Sequence, residues 1–109
     1  MENKIIILHW NDIILGGLSC LEEKYVYTKK KENYKAALED GCPIPIMDTP
    51  GGLIKNIPPI FTEFEIDPSR EDLKEKLNIV SSDNRFDMLY KRAVNYKLFE
   101  NSGFWISNG

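Results

Sequence analysis

Lys4-Ile5-Ile6-Ile7-Leu8-His9-Trp10-Asn11-Asp12-Ile13-Ile14-Leu15-Gly16-Gly17-Leu18-Ser19 is the stretch whose reading decides the fold. Two runs rich in β-branched residues, 4–9 and 13–15, flank Asn11-Asp12, a pair that tolerates the left-handed backbone of a tight hairpin turn. The spacing predicts two antiparallel strands. Gly16-Gly17 then permits a bulge or a bend, because glycine has no side chain to oppose unusual dihedrals. Farther out, Tyr25-Val26-Tyr27-Thr28 reads as a third strand, with Val26 and the two tyrosines on opposite faces.

Helical signals come later in the chain. Residues 32–40 place Tyr34, Ala37 and Leu38 on one face, and Gly41 follows as a left-handed terminator. Pro43, Pro45, Pro50 and Gly51-Gly52 fall within residues 42–58, and proline lacks the amide donor, so an extended, exposed connection is expected there. Pro59 suits the first turn of a helix carrying Ile60, Phe61 and Phe64, and Asp67-Pro68 is expected to open a second with Leu73 and Leu77 as its buried stripe. Ser82 is expected to cap the last helix, where Phe86, Leu89, Tyr90 and Ala93 share one apolar face directed at the sheet. Polar residues 95–103 end in a glycine, and Phe104-Trp105-Ile106 returns as an edge strand. The expected class is α+β: a small antiparallel β-sheet packed with three to four short helices, as a single domain over residues 1–109.

Composition bounds the function. A chain of 109 residues should bury roughly 65% of its extended surface on folding, enough for one ordinary core. With 42% hydrophobic and 28% charged residues it reads as a globular protein, and a net charge of −3 gives no overall pull toward nucleic acid or anionic membrane. Ile5-Ile6-Ile7-Leu8 is too short for a signal-peptide core or a membrane span, so a cytoplasmic location is expected, with no membrane partner. Cys20 and Cys42 form no Cys-x-x-Cys pair and read as reduced, partly buried thiols, a single disulfide being the alternative.

The search for catalytic chemistry is mostly negative. There is no Gly-x-x-x-x-Gly-Lys-Ser/Thr loop and no Gly-x-Gly-x-x-Gly, and nothing assembles the motifs that supply a kinase with its base, lysine and metal ligands. His9 sits in a strand pattern without a neighbouring cysteine or serine motif and reads as structural. Glu63, Glu65 and Asp67 read as a solvated helix end. No catalytic, cofactor-binding or metal-ligating residue is assigned. Lys29-Lys30-Lys31, following Tyr25 and Tyr27, has the ingredients of phosphate neutralisation with base stacking, but three lysines against a negative chain read as a solvated loop. Protein binding has more support: Trp10, Phe104 and Trp105 fall near expected sheet edges, and interface centres favour large aromatics.

The order of motifs over residues 5–106 resembles the N-terminal domain of the HipA family of toxin kinases. That domain opens with a hairpin ending in a Gly-Leu-Ser-like step, matched by Gly17-Leu18-Ser19. It continues with an aromatic strand, a Pro-Ile-Ser-like segment, a Phe helix and a Pro turn, matched by Tyr25-Val26-Tyr27, Pro43-Ile44-Pro45-Ile46, Pro59-Ile60-Phe61-Thr62-Glu63-Phe64 and Asp67-Pro68-Ser69-Arg70. Phe86-Asp87-Met88-Leu89 and Gly103-Phe104-Trp105-Ile106 match its last helix and strand. Two departures stand out: the family's Leu-Pro-Glu-Gly turn is Ile66-Asp67-Pro68-Ser69, and its Gly-Ala is Gly103-Phe104.

The resemblance implies a regulatory module without room for the phosphotransfer machinery. Its expected partner is a separately encoded HipA-type kinase toxin lacking this domain, bound and held inactive, with a helix-turn-helix repressor as a further component that contacts DNA. Expected partner contacts are Phe61, Phe64, Pro68 and Arg70 from the matched Phe helix and Pro turn, together with Trp10 and Trp105. The alternatives are an activating subunit of a split kinase, a small nucleic-acid-binding protein, or an enzyme of another type.

Overall fold

β1 (Ile5–Trp10) and β2 (Ile13–Leu21) form the antiparallel hairpin, and Asn11 takes a φ of 51° in the turn between them. The computed structural model describes residues 4–22, 24–42, 51–65, 69–99 and 102–108. β2 outruns the expected strand and passes straight through Gly16-Gly17. Leu8 pairs with Gly16 but His9 pairs with Ile14, so Leu15 is one extra residue in β2, a bulge that turns its fully buried side chain into the core. Helix α1 (Lys31–Glu39) braces this irregularity, for the Asn33 side-chain amide donates to the Ile14 carbonyl at 2.7 Å.

β3 (Lys24–Lys29) pairs with β2, β4 (Gly52–Ile54) with β3, and β5 (Phe104–Asn108) with β1, all antiparallel. The order β4-β3-β2-β1-β5 puts the last strand beside the first. The expected connection over residues 42–58 therefore contains a short strand. An edge position tolerates it because only one side needs hydrogen bonds, and Gly52, at φ 88°, supplies a backbone conformation that other residues rarely adopt. Pro43, Pro45 and Pro50 lie outside the described residues, as do Asp67 and Pro68.

The remaining elements are α2 (Glu71–Lys76), α3 (Arg85–Val94) and 3-10 helices over Pro59–Phe64 and Tyr96–Leu98. The architecture is α+β, with a five-stranded antiparallel sheet and three α-helices among the described residues. Several expectations are corrected. In α1, Tyr34 and Ala37 are buried but Leu38 faces solvent, so the apolar stripe is narrower than the sequence suggests. α2 buries none of its own residues; Leu77, just past its end, reaches the core. α3 is capped by Asn84 and not Ser82: the Asn84 side chain accepts from the Asp87 amide at 2.8 Å, and Asp87 accepts from the Asn84 amide, a reciprocal capping box. Phe86, Leu89 and Ala93 of α3 are buried as the spacing predicts.

Strand alternation sorts the sheet into two faces. Ile6, Leu8, Leu18, Tyr27 and Ile106 lie in register on the first face and are buried there. The helical elements pack on this side: Tyr34 of α1 hydrogen-bonds the Tyr27 hydroxyl at 2.7 Å, Phe86 of α3 lies 6.0 Å from Tyr25, and Phe61 meets Tyr27 edge-on. Burial and the bond to Tyr34 raise the Tyr27 pKa, so the pair is a neutral hydrogen-bonded link inside the core.

The two adjacent glycines serve opposite faces. A Cβ on Gly16 would sit 2.5 Å from the Thr28 carbonyl oxygen and 2.7 Å from the Tyr27 hydroxyl, whereas one on Gly17 would meet the side-chain carbons Ile5 Cγ2 at 3.2 Å and Ile7 Cδ1 at 3.4 Å, with the Ile6 carbonyl oxygen no closer than 4.0 Å. Gly16 thus lets the buried tyrosine cross over β2. Gly16→Ala is expected to destabilise the fold by about 1–3 kcal/mol through overpacking, while Gly17→Ala stays within about 0.5 kcal/mol, both read from urea unfolding midpoints.

Candidate functional site

The second face of the sheet is formed by the alternate residues of the same strands, and its rows follow from the register. Ile5, Ser19, Val26 and Leu53 line up across β1, β2, β3 and β4. Ile7 lies beside Gly17 on one side and Ser107 on the other. Ile14, His9 and Trp105 make the third row. Ile5, Ile14 and Leu53 are exposed, and Ile7, Val26 and Trp105 are half-buried. Such a surface is mostly aliphatic, with Ser19, Thr28, Ser107 and His9 as the hydroxyl-bearing or imidazole side chains among the branched ones.

His9 and Trp105 form the most ordered part of this face. Their rings stack in parallel with centroids 3.7 Å apart, and Tyr96 lies behind the indole at 5.8 Å. His9 Nε2 and Ser107 Oγ are 2.7 Å apart, a pairing across 98 residues that joins β1 to β5. A serine beside an imidazole is the start of a nucleophile–base pair, but that chemistry also needs an approach path and donors for a developing oxyanion. Each residue is only 9% exposed, and Trp105 covers one face of the imidazole. The pair acts as a strut between strands.

Asn11 fixes the turn end of this region. Its amide donates to the Gly103 carbonyl, its Oδ1 accepts from the Gly103 amide, and its own carbonyl accepts from Trp105 Nε1, at 2.9, 2.9 and 2.8 Å. Asn11 Nδ2 and Trp10 Nε1 both donate to Asp40 Oδ2, at the end of α1. One residue therefore ties the first hairpin to the last strand and to a helix.

The expected contact residues are not brought together. Phe61 and Phe64 are buried, because a 3-10 helix has three residues per turn and eclipses side chains at i and i+3, so both rings enter the core together. They offer no surface to a partner, which corrects that expectation. Pro68 lies outside the described residues. Arg70 is exposed just before α2 and makes a two-donor pair with Asp72, whose carboxyl is held below its ordinary range by that contact. Trp10 and Trp105 stand on opposite faces of the sheet: Trp10 packs edge-on against Phe104 on the helix side, and only Trp105 reaches the open face.

Other sequence candidates also find their places. Lys29 sets its ammonium 4.7 Å above the Tyr34 ring, and Lys30 and Lys31 are exposed where α1 begins. Cys20 is exposed and Cys42 buried, neither in a disulfide, so partial burial holds for neither. Among the described residues no group of three or more His, Cys, Asp or Glu side chains is placed to hold a metal, and no helix is long and apolar enough to cross a membrane. A groove of about 630 Å³ opens where the start of β1 and the end of β2 approach the N-terminus of α3, lined by Lys4, Ile5, Leu21, Val26 and Phe86 among others. Its lining is mixed, for Lys4, Glu22, Asn84 and Asp87 stand among the apolar side chains. No protein-family model, curated protein or solved structure matches the chain.

The open face itself is what sequence reasoning missed. Its signal was the unbroken apolar runs Ile5-Ile6-Ile7-Leu8 and Ile13-Ile14-Leu15, where a strand with one wet face would alternate.

Two outcomes test this geometry. Asn11→Gly keeps the left-handed backbone and loses the side-chain bonds, which costs about 1–2 kcal/mol, and Asn11→Ala costs about 1 kcal/mol more by adding the left-handed penalty, compared by chemical denaturation. Burial lowers the His9 pKa from 6.5, although the indole face attracts the cation and moderates that effect. The unfolded chain therefore takes up the proton first. The His9 contribution is complete above about pH 6.5 and declines as pH falls below it, levelling off below the lowered native pKa. Stability measured at about pH 7.5 and about pH 5 should fall more on acidification in the wild type than in His9→Gln.

Proposed function

We propose that this chain is a non-catalytic binding module that docks onto another protein. The observation that carries the reading is the second face of the sheet, where Ile5, Ile14 and Leu53 remain exposed beside Ile7, Val26 and Trp105 while α1 and α3 pack on the other face. Contiguous apolar surface of this kind marks interaction sites in folded proteins, since leaving it in water costs about 25 cal/mol per Å². Backbone and side chains of a central antiparallel sheet form a rigid platform, so little ordering cost accompanies docking.

The resemblance to the HipA N-terminal domain supplies the partner class: a separately encoded HipA-type kinase that lacks such a domain. The chain acts on it by occlusion or by holding its lobes in an unproductive arrangement, as an antitoxin without turnover of its own. A helix-turn-helix repressor completes the set and carries the DNA contacts. The cytoplasm is the matching compartment.

Co-expression with a kinase encoded beside it, followed by affinity purification and a phosphorylation assay, tests the reading. A stable complex with kinase activity at least tenfold below that of the free kinase is expected. A complex with raised activity makes the chain an activating subunit, and no complex at all removes the docking function.

A further inference from the structure

The two edges of the sheet are unequal. Strand order β4-β3-β2-β1-β5 leaves β4 and β5 each with one side that no other strand pairs. Along an antiparallel ladder, alternate residues turn their amide and carbonyl toward the neighbouring strand and the residues between turn theirs away. The Asn11 amide donates to the Gly103 carbonyl, so in the β1–β5 register Gly103, Trp105 and Ser107 bond inward. Phe104, Ile106 and Asn108 therefore direct their backbone groups away from β1. On the other edge, the Lys30 amide donates to the Leu15 carbonyl, which turns Tyr25 and Tyr27 toward Ile54 and Gly52 and leaves Leu53 as the one outward residue within β4.

The β5 edge also lacks what keeps an edge single. Phe104-Trp105-Ile106-Ser107-Asn108 contains no charge, no proline and no glycine, and its register with β1 runs without a bulge. Among the described residues no hydrogen bond reaches the three outward positions. The 3-10 helix over Tyr96–Leu98 touches β5 and sets Tyr96 against the Trp105 ring, but its amide bonds, from Leu98 to Asn95 and from Phe99 to Tyr96, stay local.

We infer that two copies of this chain pair β5 with β5 antiparallel about a two-fold axis, joining two five-stranded sheets into one. With Ile106 at the axis, Phe104 of each copy meets Asn108 of the other, and the outward residues form three hydrogen-bonded pairs of two bonds each. A foreign strand satisfies the same ladder, yet three outward residues spaced evenly about Ile106 are their own complement under a two-fold rotation. An uncharged strand also opposes no like charges when it meets itself. α3 and the 3-10 helix after it touch β5 and carry Val94 and Leu98, 45% and 59% exposed, so apolar area lies on the elements beside the seam. Closure ends with two copies, because the single outward residue of β4 is too short a ladder to extend the sheet. The inference is independent of kinase docking, which uses the open face.

The test uses the full chain. Sedimentation at rising concentration should show a species of twice the monomer mass, and hydrogen exchange at the Phe104, Ile106 and Asn108 amides should slow at least tenfold from monomer to dimer. The Trp105 and Ser107 amides, already bonded to β1, should change less. Asn108→Pro removes one outward donor at an exposed position outside the β1 ladder and should weaken the dimer at least tenfold, whereas Asn108→Ala keeps the donor and should pair as the wild type does. Both variants are first checked for wild-type folding by circular dichroism and urea midpoint. A chain that stays monomeric, a dimer whose outward amides exchange unchanged, or a dimer indifferent to Asn108→Pro overturns the inference and leaves the docking function standing. Protection of the same amides in a monomer only after the co-expressed kinase is added assigns the edge to a strand of that partner and overturns the second copy.

Discussion

Asn11 is the constraint on which the arrangement depends. A left-handed residue in the first turn sets the pairing of β1 with β2, and the same residue receives the last strand through a pair of hydrogen bonds with Gly103 and a third from the Trp105 indole. β1 is thereby paired on both edges, which makes the first strand of the chain a central strand of the sheet. Because Asp40 at the end of α1 accepts from both Asn11 and Trp10, the helix is anchored to the same point. Contacts separated by about thirty and by more than ninety residues converge on one side chain, so loss of that turn is expected to loosen three elements together.

The sheet that results is largely apolar on both faces, and only one of them is covered by α1 and α3. One face is spent on the core: Tyr27 and Tyr34 link their hydroxyls beneath α1, Phe61 and Phe64 enter from the 3-10 helix, and α3 covers the remainder with Phe86, Leu89 and Ala93. The other face keeps its branched side chains without such a cover from α1 or α3. An aliphatic face with a stacked imidazole and indole at one end suits recognition of a surface, where affinity comes from excluded water. A buried serine–histidine pair within it joins β1 to β5.

Positions marked by resemblance and positions exposed by the fold are different sets. The Phe helix of the motif comparison is a 3-10 helix, and its three-residue repeat drives Phe61 and Phe64 into the core side by side. Trp10 and Trp105 share no common surface, because strand alternation and the β1–β5 register send them to opposite faces. Residues that were not singled out, Ile14 and Leu53 above all, carry the exposed apolar area. A motif marks which segment is used for something, while its secondary structure decides which way the side chains point.

Much of the architecture was legible in the chain itself. Asn11-Asp12 between β-branched runs determined the hairpin, glycines at 41 and 103 marked positive φ, and the i, i+3, i+4, i+7 spacing of Phe86, Leu89, Tyr90 and Ala93 determined α3, because these signals depend on local dihedrals and on the period of one element. The unbroken Ile5-Ile6-Ile7-Leu8 run already recorded a strand apolar on both sides. What only the tertiary structure decided were matters of pairing at a distance: the strand order that seats β5 beside β1, the meeting of His9 with Ser107, the use of Gly16 to admit Tyr27, and which of two apolar faces the helices cover. Local sequence cannot rank those choices, since each is set by the summed burial of side chains that lie tens of residues apart.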